Sequence, residues 1–162
     1  MRIELINTGS ELLHGCVLNT HQQWLGQQLV TAGYEINHQQ TVSDTGTVIQ
    51  AVVREAIARS ELVIVTGGLG PTSDDITRQR IAELLDTPLE EHAKTRDRIT
   101  AIFRKLKRPM PETVLVQAQV PEGAIVLPNH HGTAPGLAMR TPKGWLIMLP
   151  GPPRELRPMY TD

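Results

Sequence analysis

Leu62-Val63-Ile64-Val65-Thr66-Gly67-Gly68-Leu69-Gly70-Pro71-Thr72-Ser73-Asp74-Asp75 decides how the rest of the chain is read. A short continuous aliphatic run, Leu62 to Val65, fits a strand buried on both faces, as in a parallel sheet. It stops at a glycine-rich segment, and a helical pattern follows from about Ile76 to Leu85. Glycine lets a backbone approach a ligand closely and turn its N–H groups toward an anion. A helix start adds partial positive charge, and Thr66, Thr72 and Ser73 add hydroxyls. The segment is neither a G-K-[ST] phosphate loop nor a G-x-G-x-x-G fingerprint. Anion binding and a tight structural turn both use these glycines.

Outward from this unit, helix-like and strand-like segments alternate. Val48, Ile49, Val52, Val53, Ala56 and Ile57 make one apolar stripe, which predicts a helix upstream of the strand. Before it, Tyr34 to Val42 reads as a polar strand near a sheet edge. Thr20 to Ala32 reads as a helix with Trp24, Leu25, Leu29 and Ala32 inward, stopped by Gly33. Arg2 to Asn7 reads as the first strand. Downstream, Glu90 to Leu106 reads as a helix with Ile99, Ile102, Phe103 and Leu106 on one side, and Lys107 to Pro111 as a break. Strands follow at Ala124–Leu127, Gly136–Arg140 and Trp145–Leu149, the last two joined by a hairpin at Pro142-Lys143-Gly144. A helix starts after Pro150-Gly151-Pro152-Pro153. The alternation predicts an α/β fold: a three-layer α/β/α sandwich with a mostly parallel sheet, in a single domain spanning 1–162.

The formal net charge of −1 is not the footprint of a nucleic-acid binder. Arg104, Lys105, Lys107 and Arg108 read as a solvated helix end. The single cysteine, Cys16, excludes an internal disulfide and fits a reducing compartment, hence a cytoplasmic protein; it reads as a small, semi-buried side chain. Met1-Arg2-Ile3-Glu4 enters a strand directly, without a signal peptide. No apolar stretch approaches the roughly 20 residues of a membrane span. Neither nucleic acid nor membrane is an expected partner.

In open parallel sheets, ligands sit beyond the carboxyl ends of the strands. Four segments fall there: Thr8 to Gly15, with Thr8, Gly9 and Glu11; Ser43-Asp44-Thr45; Thr66 to Asp75; and Pro150 to Arg154, where Pro150 and Gly151 allow close approach and Arg154 can meet a phosphate. Asp74 and Asp75 have two readings: caps of the following helix, or oxygen ligands for a divalent cation. Asp44 can cap the helix of Val48 to Ile57 or point into the same cleft. Glu11 can be a surface carboxylate, a cap or a site group. His130-His131 reads as a polar loop, since no other His or Cys stands at ligand spacing. Asn129 and Gly132-Thr133-Ala134-Pro135-Gly136 read as a turn bordering a pocket.

In this order, the segments resemble the CinA family of competence/damage-inducible proteins, at its N-terminal molybdopterin-binding-like domain, a fold shared with MoaB and Mog. The matching segments are Thr8-Gly9-Ser10-Glu11-Leu12-Leu13-His14-Gly15, Asn19-Thr20, Val42-Ser43-Asp44, Thr66 to Thr77, Gly132 to Gly136, and Leu149-Pro150-Gly151-Pro152-Pro153. The resemblance implies a homo-oligomer, trimer or dimer. It implies a ligand cleft on Gly67, Gly68 and Gly70, with Thr72, Ser73, Thr8, Gly9, Glu11, Pro150 and Gly151 around it. It also implies metal-dependent hydrolysis of ADP-ribose to AMP and ribose 5-phosphate. In that reaction Asp44 and Asp75 are catalytic, and Asp44, Asp74 and Asp75 hold Mg²⁺, Mn²⁺ or Co²⁺ and activate water. The alternatives are a molybdopterin-binding or pterin-adenylating protein of molybdenum cofactor synthesis, and a non-catalytic nucleotide-binding module. Family members often carry a C-terminal domain that deamidates nicotinamide mononucleotide. That domain is absent from this sequence, whose abrupt end fits a truncated protein or a short natural form. Asn129-His130-His131-Gly132 departs from the family, which more often has proline and valine between the Asn and Gly.

Overall fold

Alternate residues of the central strand β3 (Leu62–Thr66) face different helical layers, which is why its aliphatic run is unbroken. The computed structural model describes residues 1–161. Val63 and Val65 pack with Ile49, Val53 and Ala56 of helix α3 (Gly46–Arg59) and Ile81 of α4 (Thr77–Leu84). Leu62 and Ile64 face the other way, onto Leu25 and Leu29 of α2 (Thr20–Thr31) and Leu156 of α6 (Pro153–Thr161). The flanking strands β1 (Ile3–Thr8) and β8 (Trp145–Leu149) repeat the alternation. Ile6, Leu146 and Met148 meet the α3–α4 layer, while Ile3, Leu5 and Leu149 meet the α2–α6 layer. Period-two side-chain geometry therefore builds the three layers.

The main sheet has six strands in the order β2-β1-β3-β8-β7-β6. Here β2 is Ile36–Val42, β6 Ile125–Leu127 and β7 Gly136–Arg140. The β2–β1, β1–β3 and β3–β8 pairs are parallel, and β8–β7 and β7–β6 are antiparallel. The fold is thus the expected α/β sandwich with a mostly parallel sheet, and the polar strand β2 is at its edge. Val42, Thr8, Thr66 and Leu149 end the parallel strands on one rim. Gly136, which begins antiparallel β7, is beside them. That rim carries the site.

The structure corrects several sequence-based expectations. The helix expected over 90–106 begins later. Leu89–Glu91 is a strand, β4, paired antiparallel with β5 (Gln119–Pro121), and α5 spans Ala93–Lys105. His92 caps α5 by accepting from Thr95 N at 3.3 Å. The inward apolar residues of that segment start only at Ile99, so nothing helical anchors Glu90 and Glu91. A 3₁₀ helix over Glu112–Ala118 sets Val114 and Ala118 against Ile99, a segment that carried no legible period. Leu106, expected inside, is exposed just past the end of α5, and Arg104 and Lys105 in its last turn and Lys107 and Arg108 beyond it are exposed too. Cys16 is exposed rather than semi-buried. Gly33 does stop α2, at φ 83°, and Thr141 and Gly144 close the β7–β8 hairpin.

Away from the rim, buried Glu4 of β1 is gripped by Arg59: Nε donates to Oε1 at 2.7 Å and Nη2 to Oε2 at 2.8 Å. Ser60 Oγ donates to Oε1 at 2.5 Å. Burial alone would raise this carboxyl's pKa, but Arg59 and Ser60 hold it below its ordinary 4.5. A depressed folded pKa gives stability that is present above the unfolded value and lost as pH falls through the folded one. We expect Glu4→Gln to lower stability at neutral pH by about 2 kcal/mol. Its unfolding free energy should also fall less steeply than wild type below pH 4.5. Urea titrations across that range measure both; parallel curves for the two proteins would refute the linkage.

Candidate functional site

At the rim a cleft of about 560 Å³ opens, within the usual range for small-ligand sites. It gathers nearly every residue singled out in the sequence. Thr8, Gly9, Glu11, Asp44, Gly67, Gly68, Gly70, Thr72, Asp74, Asp75, Pro150 and Gly151 all line it. Ser73 and Arg154 do not. Ser73 is exposed, and Arg154 projects into solvent with 82% of its side chain exposed, outside the lining. His130 and His131 are exposed loop residues, as expected.

The glycine loop is the floor of the cleft. Gly67 and Gly68 have φ of 97° and 67°, a region that glycine enters at little cost. Both are also packed without room for a side chain: a Cβ on Gly67 would strike the Thr8 carbonyl, and one on Gly68 would strike Thr77 Oγ1. Gly67 N donates to Leu149 O at 3.0 Å and Thr77 N to Gly68 O at 3.1 Å, so the loop is tied to β8 and to the start of α4. Among the described residues, the next three amides, of Gly68, Leu69 and Gly70, donate to nothing. Leu69 O accepts from Arg78 Nη1, which is not in the lining, at 3.2 Å and from Gln117 Nε2, which is, at 3.5 Å.

The aspartates act differently from simple helix caps. Asp75 does not cap α4. Its Oδ2 accepts from Thr72 N at 3.0 Å and Thr72 Oγ1 at 2.5 Å, a strap across the end of the glycine loop. Asp44 does not cap α3; its Oδ2 accepts from Ser10 N at 2.9 Å and so ties the end of β2 to the start of the short helix α1 (Ser10–Leu13) that follows β1. Asp74 takes only Ser73 Oγ, at 3.4 Å. All three border the cleft, yet among the described residues no group of three His, Cys, Asp or Glu is placed to hold a metal ion.

Several cleft residues gave no clear signal in the sequence. His21, at the start of α2, bonds the Gly151 carbonyl and fixes the Pro150–Pro153 turn. Burial pushes its pKa down, against the raising effect of that hydrogen bond, and Arg157 lowers it further. Gln117 arrives from the unforeseen 3₁₀ helix. Buried Glu155 is held by Asn129 Nδ2 at 2.7 Å, and Asn129 Nδ2 also reaches Ala134 O at 2.7 Å. The Gly132-to-Gly136 turn thus does border the pocket, through Thr133 and Ala134. The lining has five carboxylates (Glu11, Asp44, Asp74, Asp75, Glu155) and no lysine or arginine. Any anion bound there is met by backbone amides, not by basic side chains.

Comparison with known proteins agrees with this geometry. Residues 4–162 match the family described as "Probable molybdopterin binding domain". A CinA-like protein of Akkermansia muciniphila is 42% identical over 161 residues, which is 98% of this chain and 39% of that protein. The chain thus spans about two fifths of the length of the curated relatives it matches. The crystal structure of CinA from Thermoplasma acidophilum, described as of unknown function, superposes with a TM-score of 0.88 at 30% identity, covering 99% of this chain and 94% of that one. MoaB of Thermus thermophilus, a molybdopterin biosynthesis enzyme, shares the fold with a TM-score of 0.61 at 21% identity, covering 98% of this chain and 86% of that one. No helix among the described residues is long and apolar enough to cross a membrane.

Proposed function

The chain belongs to the molybdopterin-binding domain family and to its CinA branch, and from that premise we propose that the cleft binds a phosphorylated pterin of the molybdopterin class. The observation that carries the reading is the run of three consecutive free amides at Gly68, Leu69 and Gly70, beyond the ends of parallel strands. Amides fixed in this way form a concave donor set for a phosphate, and the nearby start of α4 adds partial positive charge. MoaB, named as a molybdopterin biosynthesis enzyme, shares the fold. The cleft has room beside the loop for a fused ring.

Metal-dependent hydrolysis of ADP-ribose is the weaker reading. It needs a cation near Asp44, Asp74 and Asp75, and these side chains do not converge on one. Asp44 and Asp75 already accept hydrogen bonds from the loops they tie. The test is calorimetry with a pterin monophosphate and the same pterin without its phosphate. We expect the phosphorylated form to bind at least about tenfold more tightly, as one or two charge-assisted hydrogen bonds would give. Equal affinities would sink the reading. AMP release from ADP-ribose, assayed alongside with Mg²⁺, Mn²⁺ or Co²⁺, decides the rival. Metal-dependent release that disappears in an Asp44→Asn, Asp75→Asn double variant would put hydrolysis in its place.

A further inference from the structure

Arg78, on α4, is completely buried, yet it makes no salt bridge among the described residues. Its one hydrogen bond runs from Nη1 to Leu69 O; Nε and Nη2 are buried without a partner. Burial pushes the guanidinium's pKa down to about 10, with the field of Asp75 opposing the shift, so the group is charged at neutral pH. A buried arginine normally carries a paired carboxylate, because a lone charge loses its hydration without compensation. Here the guanidinium, without a salt-bridge partner among the described residues, is bonded to the backbone of the loop whose amides are free. It is also the missing cation of a cleft lined by carboxylates.

We propose that Arg78 is a positioning and charge-supplying residue for the bound phosphate, acting through the Leu69–Gly70 peptide. This rests on the cleft being the anion site proposed above. A trans peptide points its C=O and N–H in opposite directions. Arg78 and Gln117 together hold the Leu69 carbonyl, which fixes the plane of the Leu69–Gly70 peptide and with it the direction of the Gly70 N–H, at a residue that lines the cleft. A cationic donor on the carbonyl polarises the peptide and strengthens the N–H as a donor. The ligand's negative charge in turn compensates the guanidinium. The fold thus holds a charge that ligand-free protein leaves unpaired and bound phosphate neutralises across one peptide.

The test uses inorganic pyrophosphate as the probe, with affinity from calorimetry and the unfolding midpoint of the ligand-free protein read in parallel. Arg78→Met removes the charge and keeps the length of the side chain. Its ligand-free midpoint should be no lower than wild type, because an apolar isostere of an unpaired buried charge is neutral or stabilising. Its pyrophosphate affinity should fall roughly ten- to a hundredfold. Arg78→Lys keeps the charge and should recover part of the lost affinity. Unchanged affinity in Arg78→Met overturns the proposal. So does a lowered midpoint that Arg78→Lys restores without restoring affinity, the signature of a structural brace. If Arg78→Met does not fold, Arg78→Lys decides: a severalfold loss of affinity supports the role and none refutes it. Absence of pyrophosphate binding by the wild type would instead remove the anion site itself, and this role with it.

Discussion

Gly68→Ala is expected to lower stability by about 3 kcal/mol and to weaken phosphate binding by on the order of a hundredfold. Two costs combine. The residue has φ of 67°, where an added Cβ strains the backbone by about 1–2 kcal/mol. The Cβ would also overlap Thr77 Oγ1, and Thr77 is buried beneath the loop with its hydroxyl 3.4 Å from that of Thr8. Neither partner can retreat, so the loop must rotate, and the free amides of Gly68, Leu69 and Gly70 rotate with it. Gly123→Ala is the control. It has φ of 74° but nothing within 4 Å of the added atom, so it carries the strain without the collision. It should lose about 1 kcal/mol and bind normally. Urea titration and pyrophosphate calorimetry on both variants measure the effects. Normal binding by Gly68→Ala would mean that the loop amides do not hold the anion.

Most of the fold was legible because burial on both faces leaves a strong pattern. Leu62 to Val65 had to be apolar at every position, since alternate residues meet two helical layers. The stripe from Ile49 to Ile57 marked a helix with one buried face, and that face packs on the sheet and on α4. What escaped was structure held by few apolar contacts. Leu89–Glu91 pairs with Gln119–Pro121 through backbone hydrogen bonds, and Glu90 and Glu91 are compatible with strand or helix. The 3₁₀ helix at Glu112–Ala118 buries Val114, Gln117 and Ala118, a helical i, i+3, i+4 spacing, but the segment is only 7 residues long and one of the three is polar, so the apolar pattern does not show it.

The site was legible as segments and not as a network. Glycines at strand ends announce a loop, so Gly67, Gly68, Gly70 and Gly151 could be named. Their partners could not, because the hydrogen bonds that fix the loop come from far along the chain. His21 reaches Gly151, Gln117 reaches Leu69, and Asn129 reaches Glu155. Asp44 and Asp75 were found for the right location but with incomplete roles. In both, carboxylate oxygens tie loops together, which no spacing rule distinguishes from capping or metal ligation. Arg78 was invisible: an arginine in a helix-like segment reads as solvated, and only its zero exposure shows otherwise.

Asp75→Ala is expected to weaken pyrophosphate binding more than tenfold while changing stability by only about 1 kcal/mol. The carboxylate is half-exposed, so its two bonds to Thr72 add little to global stability. Their effect is local. They hold Thr72 back against the loop, and the carboxylate fills the space beside the Gly70 Cα, where a side chain would collide with it. Without the strap, Gly70 and Pro71 are free to reorient, and an ordered donor set becomes one that must be ordered on binding. Asp75→Asn separates this strap from a metal role. The amide oxygen can still accept from Thr72 N, and removing a negative charge reduces repulsion of the ligand. With a chelator present, Asp75→Asn should therefore bind pyrophosphate at least as tightly as wild type. If the carboxylate instead works by holding a cation, wild-type affinity will rise with added Mg²⁺, and Asp75→Asn will lose that gain as completely as Asp75→Ala. Calorimetry of the three proteins, with chelator and with Mg²⁺, tells a strap from a ligand.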